Sequence, residues 1–269
     1  IEIIGADNIA ADAEVIMTGI TCLLNCGLKN FKIEIGHAKL FNALVKPLNV
    51  DAEIKEELRK SIDMKNFTLL KKILRANRDR LDKDSFNILS ELPGLFGGVE
   101  AIEKAADITG NEEALKCLED IEKVYKTVKS TGLERYLAVD LGMAYHMDYY
   151  TGIIFRGYTH GFGEDILSGG RYDNLIGQFG DEEPAVGFAI DVDGVMAALE
   201  FSNGFCNEIH KKVLIYCDKK DFESAYEKAL KFRNDGIIAE MSLIDDEREA
   251  RKYADEKDME FIKIGDGKN

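Results

Sequence analysis

Positive charge is scarce in this chain. Its 35 Lys and Arg stand against 50 Asp and Glu, a formal net charge of −15. That balance argues against nucleic acid as the main partner, because phosphate binding draws on clustered Lys and Arg. Long apolar runs are missing as well. None approaches the ~18 residues that a membrane span needs, so no membrane partner is expected and a cytoplasmic location is. No Walker-type loop, Ser/His/Asp order or zinc-ligand spacing occurs. Cysteine is thinly spread, at Cys22, Cys26, Cys117, Cys206 and Cys217. Cys22 and Cys26 share one face of an expected helix, but no second pair completes a zinc site, which leaves buried free thiols as the expectation and no metal. The chain opens on Ile1 rather than Met, directly into strand-like sequence, and no signal peptide is expected. The expectation is a chain whose beginning is missing.

What is present suits one large domain or two ordinary ones. The 269 residues are 45% hydrophobic and 32% charged, enough to bury a sizeable core. Residues 1–37 read as strand, helix, strand: Ile1-Glu2-Ile3-Ile4 alternates, and Asp12 can cap a helix that carries Val15, Ile16, Gly19, Ile20, Leu23 and Leu24. Gly27 stops that helix, and Phe31–Ile35 alternates again. Residues 38–130 change character, with apolar positions every three or four residues, as in Ile54, Leu58 and Ile62 or in Leu115, Leu118, Ile121 and Val128. Glu91-Leu92-Pro93-Gly94 marks a break between helices. This stretch is expected to be wholly helical, without a strand.

Residues 131–200 return to strands, over Tyr136–Leu141, Tyr149–Tyr158, Asp165–Ser168 and Pro184–Asp191, with a helix over Gly194–Glu200. The connections are short and rich in Gly, which favours antiparallel pairing. From 211 to 264 strands and helices alternate: Val213–Cys217, Phe222–Asn234, Ile237–Leu243, Asp246–Glu256 and Phe261–Ile264. That pattern implies parallel βαβ units in a separate α/β domain, with a boundary near Asn203–His210.

The densest chemistry lies in Tyr145-His146-Met147-Asp148-Tyr149-Tyr150-Thr151-Gly152 and Ser168-Gly169-Gly170-Arg171-Tyr172-Asp173. Two adjacent tyrosines at a strand start would point to opposite faces, so one of them at most would face a given pocket. Gly169-Gly170 permits close backbone approach, for a ligand or for a tight turn. Arg171 and Asp173 read as ion-pair residues with other partners. His146 could act as an acid or base, yet it has no visible catalytic partner, and a structural or surface role is its plainer reading.

Four blocks, taken in order, resemble the core of class II histidyl-tRNA synthetases and their non-catalytic relatives. Glu2-Ile3-Ile4-Gly5 with Asp12-Ala13-Glu14-Val15-Ile16 looks like the strand that follows motif 2. Asp148-Tyr149-Tyr150-Thr151 resembles the histidine-specific segment, Gly169-Gly170-Arg171-Tyr172-Asp173 a signature of the family, and Pro184-Ala185-Val186-Gly187-Phe188-Ala189-Ile190 the motif 3 strand. The resemblance implies an α+β fold. Residues 1–203 would form an incomplete class II aminoacyl-tRNA synthetase-like antiparallel sheet core, with a helical insertion at about 38–130. Residues 211–269 would form a small α/β anticodon-binding-like domain. Motif 1 and the motif 2 Arg would belong before Ile1.

The departures from the synthetase pattern are specific. Where the synthetases carry an Arg that acts in activating histidine, this chain has Tyr145, followed by His146. Where motif 3 should run on into Glu-Arg, with the Arg gripping ATP phosphate, it has Asp191-Val192-Asp193-Gly194. Gly194 supplies no cation and Asp191 adds an anion, so adenylation is not expected. Tyr145-His146-Met147 with Tyr149-Tyr150-Thr151-Gly152 is similar instead to the ATP phosphoribosyltransferase regulatory subunit family, synthetase paralogues that have lost aminoacylation. That resemblance implies a partner, the short-form catalytic ATP phosphoribosyltransferase subunit. Together they would make phosphoribosyl-ATP from ATP and phosphoribosyl pyrophosphate, the first step of histidine synthesis, under feedback inhibition by histidine.

The class II core further implies a homodimer within a hetero-oligomer. A histidine-like ligand pocket would draw on Glu2, Tyr145, Tyr149, Tyr150, Gly169, Gly170 and Arg171, with no catalytic residue, cofactor or metal. Arg156 departs from the acidic residue common after this strand's Phe. The stretch from Lys211 to Asn269 holds 13 basic and 15 acidic residues, 13 − 15 = −2, where a tRNA-gripping module should be basic. Two alternatives stand beside this reading: a fragment of an active histidyl-tRNA synthetase, against which Tyr145 and Gly194 argue, and a synthetase-like scaffold or sensor module.

Overall fold

The computed structural model describes residues 1–144, 149–203 and 211–265. Contacts divide the chain into two compact units, residues 1–205 and 206–269. The first unit opens with strand β1 (Glu2–Ile4) and helix α1 (Ile9–Asn25). The cap of α1 is Asn8, in extended backbone, whose side chain accepts the Ala11 N–H at 3.0 Å. Asp12, expected as the cap, sits instead inside the first turn and is buried, because Arg171 holds it there. Gly27, at φ +96, turns the chain after α1 as a left-handed residue must.

Strand β2 (Phe31–His37) buries Phe31, Ile33, Ile35 and His37 on one face, as its alternation requires. Six helices follow: α2 (Leu40–Val45), α3 (Ala52–Asp63), α4 (Phe67–Ala76) and α5 (Lys83–Glu91), then, after a two-residue strand β3 (Phe96–Gly97), α6 (Val99–Ile108) and α7 (Glu112–Ser130). Asn66, Asp82 and Asn111 cap α4, α5 and α7 through their side chains. Strand β3 corrects the expectation of an unbroken helical stretch. Paired antiparallel with Phe96 opposite Asp140, it closes one edge of the sheet. Of the expected face of α7, Leu118, Ile121 and Val128 are buried, whereas Leu115 is exposed.

The remaining strands are β4 (Leu137–Asp140), β5 (Ile153–Thr159), β6 (Leu167–Arg171) and β7 (Ala185–Ile190), and helix α8 (Val192–Asn203) ends the described part of this unit. Their order across the sheet is β1-β7-β6-β5-β2-β4-β3. Every pair is antiparallel except β2 with β4. Those two can run parallel because the helical stretch between them carries the chain back to the same end. Helices α1 and α7 pack on each other and on one face of the sheet.

The second unit is a three-stranded parallel sheet, ordered β10 (Glu260–Ile264), β8 (Lys212–Cys217), β9 (Ile238–Met241). Alternation along β8 builds two small cores. Val213 and Ile215 meet Ala225 and Ala229 of α9 (Phe222–Asn234), and Leu214 and Tyr216 meet Ala250 and Ala254 of α10 (Glu247–Glu256). The cysteines correct the expectation of uniformly buried thiols: Cys117 is buried, Cys22 and Cys217 are half-buried and Cys26 is exposed. Cys206 lies outside the described residues. No helix among the described residues is long and apolar enough to cross a membrane.

Candidate functional site

The sheet of the first unit has two chemically different faces, and strand register sorts the site residues between them. Glu2 on β1 lies opposite Gly187 on β7, Gly187 opposite Gly170 on β6, Gly170 opposite Ile154 on β5, and Ile154 opposite Gly36 on β2. Residues opposite one another share a face. This row therefore crosses the side of the sheet away from α1 and α7, and three of its five members are glycines.

Neighbouring side chains, Tyr150 and Glu2 among them, occupy the space those glycines leave. A Cβ on Gly170 would stand 2.8 Å from Cε1 of Tyr150, and one on Gly187 would stand 2.8 Å from Cγ of Glu2. The rings of Tyr149 and Tyr150 touch, with centroids 4.4 Å apart, and Tyr149 meets Tyr172 edge-on at 6.2 Å. Tyr172 donates its hydroxyl hydrogen to Oε1 of Glu2 at 2.6 Å. Burial, together with the Glu2 carboxylate, pushes the Tyr172 phenol above its usual range, so it remains a donor at neutral pH. The result is a shallow cup of three tyrosine rings and one carboxylate seated over the glycines. Such a cup offers an acceptor to an ammonium or imidazole N–H and flat apolar surface to a ring.

Of the expected pocket residues, Glu2, Tyr149, Tyr150 and Gly170 come together here. The two tyrosines do so side by side, against the expectation that alternation would part them, because they precede β5 and obey no strand period. Gly169 and Arg171 go to the other face. A Cβ on Gly169 would strike Phe155 and Phe188, both 2.7 Å away, so this glycine serves packing under α1. The glycine pair lies within β6 rather than in a turn.

Arg171 anchors the start of α1. Its Nε donates to Oδ1 of Asp12 at 2.9 Å, and Nη1 donates to Oδ1 of Asp173 at 3.1 Å and to the carbonyl of Ala6 at 3.1 Å. Arg171 and Asp173 thus pair with each other, where separate partners were expected. Burial outweighs the attraction of Arg171 and pushes the Asp12 carboxyl up to about 6. Tyr145 and His146 lie outside the described residues. At the end of motif 3, Asp191 follows β7 and Gly194 sits in the first turn of α8. A Cβ on Gly194 would stand 2.7 Å from Oδ2 of Asp191 and 2.9 Å from the Phe162 ring. Among the described residues, no group of His, Cys, Asp or Glu could hold a metal ion.

Sequence reasoning passed over Tyr172 and Gly187. The period of two along β6 could have found the first, since Tyr172 shares a face with Gly170 and Arg171 does not.

A mixed sheet with helices on one face and a tyrosine–carboxylate cup on the other defines a protein of class II histidyl-tRNA synthetase type. A family model described as Histidyl-tRNA synthetase matches residues 1–195. The chain is 60% identical over 264 residues to an ATP phosphoribosyltransferase regulatory subunit of Clostridium kluyveri, an alignment covering 98% of this chain and 68% of that one. The chain belongs to the ATP phosphoribosyltransferase regulatory subunit family. A solved ATP phosphoribosyltransferase regulatory subunit/histidyl-tRNA synthetase from Bacillus halodurans superposes with a TM-score of 0.72 at 29% identity, covering 98% of this chain and 67% of that chain. The ATP phosphoribosyl transferase (HisG:HisZ) complex from Thermotoga maritima shares the fold, with a TM-score of 0.56 at 19% identity over 70% of this chain and 63% of that one.

Proposed function

We infer that this chain acts as a non-catalytic regulatory subunit of an ATP phosphoribosyltransferase, the enzyme of the first step of histidine synthesis. Its partner is the short-form catalytic subunit, and histidine is the signal it reads. A homodimer within a cytoplasmic hetero-oligomer accompanies that reading. The observation that carries it is a tyrosine–carboxylate cluster standing in a chain that has no Arg at the end of its motif 3-like strand. Glu2, Tyr149, Tyr150, Gly170 and Tyr172 stand together and offer a carboxylate and aromatic rings to histidine. After the strand that resembles motif 3, the sequence has Asp191 and Gly194 where the synthetase resemblance would put an Arg for ATP phosphate. Without that cation the developing phosphate charge goes unmatched, a loss worth orders of magnitude in rate. Aminoacylation is accordingly absent, and a binding surface without its chemistry is what a sensor requires.

The test is co-purification of the full chain with a catalytic phosphoribosyltransferase subunit, followed by assay with ATP and phosphoribosyl pyrophosphate. A complex that is active only with both chains and inhibited by histidine supports the reading. Histidine-dependent ATP–pyrophosphate exchange at synthetase rates would sink it in favour of an active synthetase. Failure to associate would favour a scaffold.

A further inference from the structure

A separate cavity of about 820 Å³ opens on the helix-covered side of the sheet, bordered by the start of α1, the ends of β2 and β6, and α2, α3 and α7. Its volume falls in the range of small-molecule sites. The sheet itself stands between it and the tyrosine cup: His37 lies opposite Ile153 and both line the cavity, whereas Ile154 shares the row of Gly170 on the other face.

His37 lines the cavity at the end of β2 and is 6% exposed. Its Nδ1 accepts the backbone N–H of Lys39 at 3.1 Å, which leaves the proton of the neutral ring on Nε2. Burial pushes this imidazole down to about 4, so at neutral pH it is an uncharged donor. Oδ2 of Asp120 lies 4.0 Å from Nε2, beyond hydrogen-bonding reach, and no acceptor among the described residues takes that proton. His37 lines the cavity, so this donor is left for an acceptor that enters it.

Around the same cavity stand Lys39, Lys46, Lys55 and Lys116. Lys46 is matched by Glu113 at 2.6 Å, but Lys39, Lys55 and Lys116 have no ion-pair partner among the described residues. The carboxylates nearby are largely committed. Asp12 and Asp173 pair with Arg171, and Asp120 lies 3.7 Å from Nζ of Lys123. Asp7 is 82% exposed and 3.8 Å from Arg171. The lining carries five cations and five carboxylates, 5 − 5 = 0, but with Arg171 and Lys46 already paired, three ammonium groups on one cavity stay open to an anion. Ile9, Val45 and Ile153 add apolar wall beside them.

We propose that this cavity binds a phosphorylated small metabolite, its phosphate held by Lys39, Lys55 and Lys116, with Nε2–H of His37 donating to it. A phosphate carries its charge on several acceptor oxygens at once and suits compact ammonium groups that converge from different elements. The organic part rests against Ile9, Val45 and Ile153. This site is independent of the histidine reading, since the two lie on opposite faces.

The test is calorimetric titration of the full chain with inorganic pyrophosphate and with ribose 5-phosphate, with citrate as the carboxylate arm. Saturable heat with a phosphate compound is expected, weakened about tenfold by Lys55→Ala or Lys116→Ala and further by added salt. Lys72→Ala on α4, outside the cavity, and Glu2→Gln in the cup should leave it unchanged. His37→Phe should weaken it too. Because that core substitution could unfold the chain, the lysine variants at solvent-reachable positions decide the matter. No saturable heat with either phosphate compound would overturn the proposal. So would lysine variants that bind as the parent does, or citrate binding more tightly than both phosphate compounds.

Discussion

Tyr172 and Glu2 stand 170 residues apart in the chain and share a hydrogen bond of 2.6 Å. The bond ties the residue after β6 to the edge strand β1 and holds the Glu2 carboxylate beside the tyrosine rings. Tyr172→Phe keeps the ring and removes the donor, so the carboxylate loses its orientation. Hydrogen bonds to charged groups are worth about 1.5–3 kcal/mol. Histidine binding should weaken about tenfold in Tyr172→Phe by calorimetry, and Glu2→Gln should weaken it at least as far, while circular dichroism stays unchanged. Binding at parental strength in both variants would remove the cup from the histidine reading.

The two adjacent glycines should respond differently to the same added methyl. Gly169→Ala drives a Cβ into the backbone carbonyl of Gly187 as well as into Phe155 and Phe188 beneath α1, and overpacking of this kind costs about 1–3 kcal/mol or more. Gly170→Ala meets the Tyr150 ring at the cup, as well as the carbonyl of Ile153. Urea denaturation should show the larger loss for Gly169→Ala, and histidine titration the larger loss per unit of stability for Gly170→Ala.

Arg171 is the cation on which the buried Asp12 and the half-buried Asp173 depend. Arg171→Met leaves their charges without it, and breaking a buried pair from one side costs about 3–5 kcal/mol. Adding Asp12→Leu should restore part of that loss. A double variant no more stable than Arg171→Met in urea would count against the pairing as the source of the cost.

Two buried groups should oppose each other in acid. The His37 imidazole has a pKa of about 4 in the folded chain against an ordinary 6.5. As pH falls through that window the unfolded chain takes up the proton first, and stability is lost by at most about 3 kcal/mol. Asp12, raised from 3.8 to about 6, acts the other way: the folded chain binds its proton first, and stability rises as pH falls from about 6 towards 4. His37→Gln should therefore flatten the acid loss of melting temperature between pH 6.5 and 4. An unchanged profile would contradict the neutral, buried histidine.

Element positions were legible wherever a local period carried the information. Helix α9 spans Phe222–Asn234 as its periodicity requires, and β2 buries Phe31, Ile33 and Ile35 as alternation requires. Four motif blocks in order also sufficed to place the chain among histidyl-tRNA synthetase relatives. The glycine pair shows where local reading ends. Gly169-Gly170 looks the same in a turn as in a strand, and only pairing with β5 on one side and β7 on the other makes it strand, sending one glycine to the core and one to the cup. Arg171 likewise found its carboxylate 159 residues away on α1, and His37 meets α7 across the long helical stretch. Such contacts depend on which faces the packed sheet turns inward, a long-range choice that no nearest-neighbour propensity encodes. Composition and pattern thus settled charge, class and most elements. Tertiary packing decided which side of the sheet each functional residue serves.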